Sequence, residues 1–370
     1  MSAEDSALET LFLPFVTGQL PWPQEGALFL RAREGAPLHQ RPLPGLICEQ
    51  SFRPDADALE RAGFTLHDAV ANDARTYPLV LVLPPRQRDE ARALLSRAIS
   101  LTKPGGQVIA SLANNEGARS GEADLARLAG PVETLIKNKC RAFWSGPLHG
   151  AIDPALARQW LALDAARAIA EGRFISRPGV FAWDRIDPAS ALLAAHLPAN
   201  LAGRAADLGA GFGYLSAELL TRCPGITALD AYEAEARALD LARHNLAEFG
   251  SRAELGYQWH DVTAGLPRTY DVIVTNPPFH TQNRHERPDI GRRFIAVAAQ
   301  SLNPGGRLWL VANRHLPYEA VLTASFGHVR IVAQEHGFKI VEAVKAAAKK
   351  VAAPRKAGTE GKIRAAKGRR

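Results

Sequence analysis

The residues best suited to chemistry in this sequence are Asn276, Pro277, Pro278, Phe279 and His280, which follow the run Tyr270-Asp271-Val272-Ile273-Val274-Thr275. Five of those six preceding residues are β-branched or aromatic, so the run reads as a buried strand that stops abruptly in a rigid turn. Proline has no N–H and a fixed φ, which leaves the neighbouring carbonyls open to a ligand at little entropic cost. Asn276 adds an amide oxygen beside them. Such acceptors suit an exocyclic –NH2 group: the Asn276 side chain and the Pro277 carbonyl take its two hydrogens while Phe279 stacks on the attached ring. The same tripeptide can also serve as a plain strand-ending loop.

A second constellation lies upstream in Asp207-Leu208-Gly209-Ala210-Gly211-Phe212-Gly213. Glycines at 209, 211 and 213 let the backbone approach a ligand closely and adopt φ values that other residues avoid. A dinucleotide fingerprint would want the third glycine at position 214. Asp207 suits the cationic end of S-adenosylmethionine better than a pyrophosphate. Asp230, read as the tip of a strand over 226–231, is expected to accept both ribose hydroxyls. Asp261, closing a strand over 253–261, is placed for the adenine amine. Each group falls at the carboxyl end of a strand, where open α/β sheets bind their ligands.

The elements that must position these residues alternate between strand and helix. Strands over 205–209, 226–231, 253–261, 270–275 and 307–312 are interleaved with helices over 188–197, 214–222, 233–249, 290–302 and 317–326. That order specifies a mainly parallel sheet covered on both faces. The segments 329–334 and 338–343 flank Glu335-His336-Gly337 and read as a hairpin, so the last strand is antiparallel.

The first half repeats this plan. Thr76-Tyr77 through Pro84-Pro85 aligns with Thr269-Tyr270 through Pro277-Pro278, and Pro104-Gly105-Gly106 aligns with Pro304-Gly305-Gly306. Two anchors in one order at nearly one offset indicate a duplicated domain. The copies are chemically unequal: Leu83 stands where the second copy has Asn276, and no glycine-rich turn follows a strand in residues 1–75. The first copy is expected to be catalytically silent. Residues 136–144, read as one strand, place Lys137, Lys139 and Arg141 on one face with Phe143 and Trp144 beside them, a pattern suited to phosphates and unstacked bases. A solvated strand face with a buried Trp fits the same residues. The expected divisions are a degenerate domain over 1–147, a helical joint over 148–178 with a helix from Asp153-Pro154 to Ala166, a catalytic domain over 179–345 and a tail over 346–370.

From Ala343 onward there are ten Lys or Arg against the single acid Glu360, a charge of +9 that leaves −2 for the rest of a chain totalling +7. The basic character belongs to the tail, which is expected to be disordered and to attract polyphosphate. It fits a solubilising appendage equally well. No apolar run approaches membrane-spanning length and no h-region follows Met1, so a cytoplasmic protein with no membrane contact is expected. Cys48, Cys140 and Cys223 are odd in number and far apart, which argues against disulfides and a four-thiolate zinc site; no metal is expected.

Together these residues resemble the class I S-adenosylmethionine-dependent methyltransferases that act on amino nitrogens, whose motif is Asn/Asp-Pro-Pro-Phe/Tyr/Trp. The sequence is most similar to the ribosomal RNA guanine-N2 methyltransferases of the RsmC and RlmG type. Gly179-Val180-Phe181, Asp207 to Gly211, Asn276 to His280 and Val311 to Tyr318 carry that likeness. Ala210 departs from it where cysteine is frequent, and the basic tail lies outside the family core. The resemblance implies two tandem Rossmann-like methyltransferase domains of α/β class, each a mainly parallel seven-stranded sheet with an antiparallel last strand, the first degenerate. It further implies S-adenosylmethionine as cofactor, Phe181 as one of its contacts, and a guanine of ribosomal RNA, in the small subunit, as substrate of a monomeric enzyme. Large-subunit RNA, an adenine-N6 or protein-glutamine substrate, and a non-catalytic ribosome-assembly role are the alternatives. Catalysis would be mainly alignment, with Asn276 and the Pro277 carbonyl turning the nitrogen lone pair to the methyl group. His280 would relay a proton or merely cap the loop.

Overall fold

The computed structural model describes residues 5–67, 75–278 and 288–347. The first sheet contains β1 (Ala27–Leu30), β2 (Leu46–Glu49), β3 (Thr65–Leu66), β4 (Tyr77–Val82), β5 (Thr102–Ala113), β6 (Val132–Lys137) and β7 (Cys140–Ser145). A two-stranded hairpin, β8 (Arg167–Ile169) and β9 (Phe174–Ser176), separates it from the second. The second contains β10 (Ala202–Leu208), β11 (Gly225–Glu233), β12 (Glu254–Trp259), β13 (Tyr270–Thr275), β14 (Leu302–Asn313), β15 (His328–Glu335) and β16 (Phe338–Val344). The spatial orders, β3-β2-β1-β4-β5-β7-β6 and β12-β11-β10-β13-β14-β16-β15, are the same strand for strand. In each sheet one strand, β7 or β16, runs against its neighbours.

The aligned anchors explain this identity of plan. β4 and β13 are six-residue apolar runs at equivalent central positions, and β5 and β14 are twelve-residue strands that carry the Pro-Gly-Gly triplets. A central strand is buried on both faces, so its residues are mostly apolar; Asp271 at the amino end and Thr275 at the carboxyl end of β13 are hydrogen-bonded. Val272 and Val274 pack into one core cluster and Tyr270 and Ile273 into the other. Helices cover both faces: α1 (Ser6–Val16), α2 (Arg53–Arg61), α3 (Arg88–Ser100) and α4 (Ala118–Ala129) in the first half, α5 (Pro154–Leu161) beyond it. The second sheet has α6 (Pro188–His196), α7 (Tyr214–Arg222), α8 (Ala236–Asn245), α9 (Pro288–Ser301) and α10 (Glu319–Ser325).

The joint differs from a single helix. α5 starts on the Asp153 cap and Pro154 as expected, but it ends at Leu161 and the hairpin β8–β9 follows. Trp160 is buried in the first core, whereas Ile169 and Phe174 belong to the second. The two halves also meet through backbone. Arg53 N–H donates to Ala234 O at 2.8 Å, Ala236 N–H to Ser51 O at 2.9 Å, and the Trp259 indole to Ser51 O at 2.9 Å. Beside this clasp Glu90 accepts from Arg31 at 3.1 Å and from Arg237 at 2.8 Å. Burial raises the Glu90 carboxyl above its ordinary range, against the opposing pull of Arg237 and Arg31. Arg31 follows β1 and Glu90 stands in the first turn of α3, just beyond β4. The second half therefore meets the first sheet at its carboxyl edge, the edge at which α/β sheets bind ligands.

All three cysteines are free and buried; burial pushes the Cys48 thiol up to about 12. Among the described residues no helix is long and apolar enough to cross a membrane. The tail from position 348 lies outside the described residues.

Candidate active site at the carboxyl edge of the second sheet

The turn from β10 to α7 holds Gly209, Gly211 and Gly213 at φ +76°, +56° and +91°. Three left-handed positions within five residues explain the glycines, since an L side chain is strained there. The turn folds onto β11: Tyr232 O accepts from Gly209 N–H at 2.9 Å and from Ala210 N–H at 3.0 Å. Gly211 N–H donates to the Glu233 carboxylate at 2.8 Å, and Glu235 N–H donates to its other oxygen at 2.8 Å.

Glu233, and not Asp230, is thus the acid at the tip of β11. The strand runs two residues further than the sequence suggested, to Glu233, and Asp230 is buried within the sheet. Asp230 accepts from the Tyr270 hydroxyl at 2.8 Å and from Arg268 at 3.4 Å; Tyr270 in turn meets Tyr232 Oη at 2.6 Å. A Cβ at Gly256 would collide with the Asp230 carboxylate, so this acid is wedged over the neighbouring strand, away from the glycine turn. Asp207 is also fully buried, beneath the turn, where it accepts from Ser216 Oγ at 2.7 Å. Burial pushes its carboxyl up to about 7 despite that hydrogen bond. Its second oxygen has no partner among the described residues. Asp261 follows β12 and caps the next turn, accepting from Thr263 N–H at 2.8 Å.

Asn276 follows β13 directly, beside Pro277, which is buried, and Pro278, which is exposed. Thr275 Oγ1 ties the strand end to β10 by donating to Leu208 O at 2.7 Å. The Asn276 amide nitrogen donates to Asp187 Oδ2 and to Ser190 Oγ, both at 2.9 Å. A carboxylate only accepts, so the nitrogen must face Asp187 and the carboxamide oxygen must face away. Neither Asp187 nor Ser190 stood out in the sequence, where Asp-Pro-x-Ser signals only a helix start; Asp187 does cap α6, accepting from Ser190 N–H at 2.8 Å.

The pocket at this edge brings together Phe181, Ala182, Asp187, Ser190, Gly209, Gly211, Tyr214 and Asn276. Phe181 stands at its rim with 62% of its surface exposed. Of the expected site residues, Asp207, Gly213, Asp230, Asp261, Pro277 and Pro278 do not line it, and Phe279 and His280 lie outside the described residues. The loop still fits a ligand with a ribose and one cationic end: three glycines open the turn, Glu233 stands at the strand tip, and a buried carboxylate with one unpartnered oxygen lies beneath. A wider cleft of about 570 Å³, between Arg173, Phe174, Phe249 and Arg252, contains none of these groups.

The basic strip over 136–144 is a hairpin and not one strand. β6 and β7 turn at Asn138 and Lys139, both at positive φ, so Lys137, Lys139 and Arg141 do not share a strand face. Arg141 is paired with Glu122 at 2.5 Å. Phe143 and Trp144 are 0% and 1% exposed, so neither can stack on a base. Lys137 and Lys139 remain exposed at the turn.

Fold and site define a methyltransferase of the methyltransferase small domain class, whose family model matches residues 171–342. The chain belongs to the ribosomal RNA small subunit methyltransferase C family. It is 31% identical over 277 residues to that enzyme of Salmonella paratyphi A, covering 75% of this chain and 78% of the relative. The Salmonella newport relative is 30% identical over the same coverage. The fold also matches a T. thermophilus structure described as a 16S rRNA N2 G1207 methyltransferase (RsmC) in complex with AdoMet and guanosine. That likeness has a TM-score of 0.75 over 92% of both chains, at 24% identity.

Proposed function

We propose that this protein transfers a methyl group from S-adenosylmethionine to the exocyclic N2 amine of a guanine in small-subunit ribosomal RNA. The observation that carries the reading is the Asn276 amide, whose nitrogen is held by Asp187 and Ser190 so that its oxygen is presented as an acceptor. The relatives' names supply the substrate class. When bound, S-adenosylmethionine supplies an electrophilic methyl group. The chain's own residues do the rest by alignment. Guanine N2 is a poor nucleophile because its lone pair is delocalised into the ring. The Asn276 oxygen and the Pro277 carbonyl hold its two hydrogens and aim the lone pair outward. Pro278 stiffens the turn, Phe279 stacks on the base, and His280 takes up the released proton or caps the loop.

Gly209, Gly211 and Gly213 shape the cofactor turn, Glu233 accepts from the ribose hydroxyls, Asp261 from the adenine amine, and Phe181 closes the rim. Asp207 supplies negative charge from beneath the turn to the cationic end. The first domain, over 1–147, is not catalytic; Lys137 and Lys139 touch RNA phosphates, and the protein acts as a cytoplasmic monomer.

Transfer of labelled methyl to unmethylated small subunits, large subunits and free RNA, followed by nucleoside analysis, tests this. N2-methylguanosine on small-subunit RNA is expected. Label on large-subunit RNA would move the substrate, and no label on any RNA would overturn the reading. Asn276→Ala is expected to lower turnover at least 100-fold with calorimetric affinity for S-adenosylmethionine within about threefold.

A further inference from the structure

An asparagine amide is nearly symmetrical in shape, with a donor at one end and an acceptor at the other. Which end meets the substrate is decided by what holds the other. Turned over, Asn276 would present its NH2 to the guanine amine, donor against donor. We infer that Asp187, supported by Ser190, is the positioning residue that fixes this orientation, and that its carboxylate is why position 276 must be asparagine. The inference rests on the amine-methylating reading above and deepens it.

The geometry leaves Asp187 little freedom. Its Oδ2 caps α6 by accepting from Ser190 N–H at 2.8 Å and lies 2.9 Å from Asn276 Nδ2. Pro188 fixes the first turn behind it. Ser190 Oγ takes the second amide hydrogen at 2.9 Å, so both donors of Asn276 are used and the oxygen is left for the ligand. Flipping the amide would lose a charge-assisted hydrogen bond and set an oxygen against a carboxylate. The wider motif of this class admits aspartate in place of the asparagine. Here an aspartate would bring two carboxylates into contact, and one would have to stay protonated. No other charged side chain among the described residues lines the pocket; Tyr214 is its other titratable group, and the nearby Asp184 is paired with Arg185 at 2.8 Å.

The test exchanges the two groups. Asn276→Asp in the full chain should lose at least 100-fold in kcat at pH 8 and recover part of it as the pH falls towards 5. Adding Asp187→Asn should raise kcat at pH 8 at least tenfold above that of Asn276→Asp, because only one carboxylate then remains at the contact and the amide introduced at position 187 can donate to it. Asp187 Oδ2 makes both the cap and the contact with position 276, so the introduced amide must divide them, its oxygen capping α6 and its nitrogen donating to residue 276; asparagine is a good helix cap, and α6 should survive the change. Asp187→Asn alone should lower kcat several-fold, with the KM for S-adenosylmethionine unchanged. A double variant no more active than Asn276→Asp, or an Asn276→Asp protein as active at pH 8 as the double, would overturn the inference. Thermal unfolding provides a second readout: Asn276→Asp should be destabilised at pH 8 relative to pH 5, and Asp187→Asn should remove that difference. Were wild type to methylate no RNA, the functional reading would fall while this coupling could still be read from stability.

Discussion

Asp230 and Glu233 lie three residues apart on one strand and have different surroundings, Asp230 inside the sheet and Glu233 at the glycine turn. Asp230 receives the Tyr270 hydroxyl and Arg268 inside the sheet, so Asp230→Ala should destabilise the fold by about 3 kcal/mol, read in denaturant unfolding, with affinity for S-adenosylmethionine within about threefold. Glu233→Ala removes the acceptor for Gly211 and Glu235 N–H and the acid at the strand tip. It should weaken calorimetric binding of S-adenosylmethionine at least tenfold, about 1.4 kcal/mol or more. The reverse pattern would return the ribose to Asp230. Asn276 and the glycine turn were legible in the sequence because their positions at strand ends follow from local pattern and the two groups recur at the ends of strands in one alternating plan. Glu233 was hidden because strand ends are the least certain boundaries in any pattern reading. Asp187 was hidden for another reason: its partner is 89 residues away, and only the folded sheet brings the start of α6 to the end of β13.

At the scale of elements the duplication was legible, since two apolar runs and two Pro-Gly-Gly triplets recur at near-constant spacing and each fixes a central strand. The hairpin at Asn138-Lys139 was not, because no glycine marks it; both residues adopt positive φ without one. Nor did spacing show how the joint engages both halves. Gly179, two residues before Phe181, has φ +88°, and a Cβ there would collide with a carboxylate oxygen of Glu90. Gly179→Ala should cost at least ~1–2 kcal/mol from the backbone alone and push Glu90 off Arg31 and Arg237. A fall in Tm of several degrees, together with weaker binding of S-adenosylmethionine at the Phe181 rim, is expected. An unchanged Tm would show that the joint bends freely around Glu90.

For the whole molecule the division of charge matters more than the total. Removing residues 346–370 takes away nine Lys or Arg and one Glu, so the net charge falls from +7 to −1. Affinity for RNA should drop and the steepness of its salt dependence should lessen, by about 0.7 for each phosphate of a single strand that is no longer neutralised. Binding of S-adenosylmethionine should not change, and filter binding across a salt series distinguishes the two. The clasp between Ser51–Arg53 and Ala234–Ala236 begins one residue beyond Glu233, and Arg237 from the same region reaches Glu90 at the carboxyl edge of the first sheet. Two copies that share a strand order have thereby ceased to be interchangeable. A chain cut at the joint would yield one half whose Glu90 keeps Arg31 but has lost Arg237, and another whose Glu233 stands next to a clasp with its opposite side gone. In evolutionary terms the duplication has acted as a ratchet: once one copy became the buttress of the other, neither could be discarded.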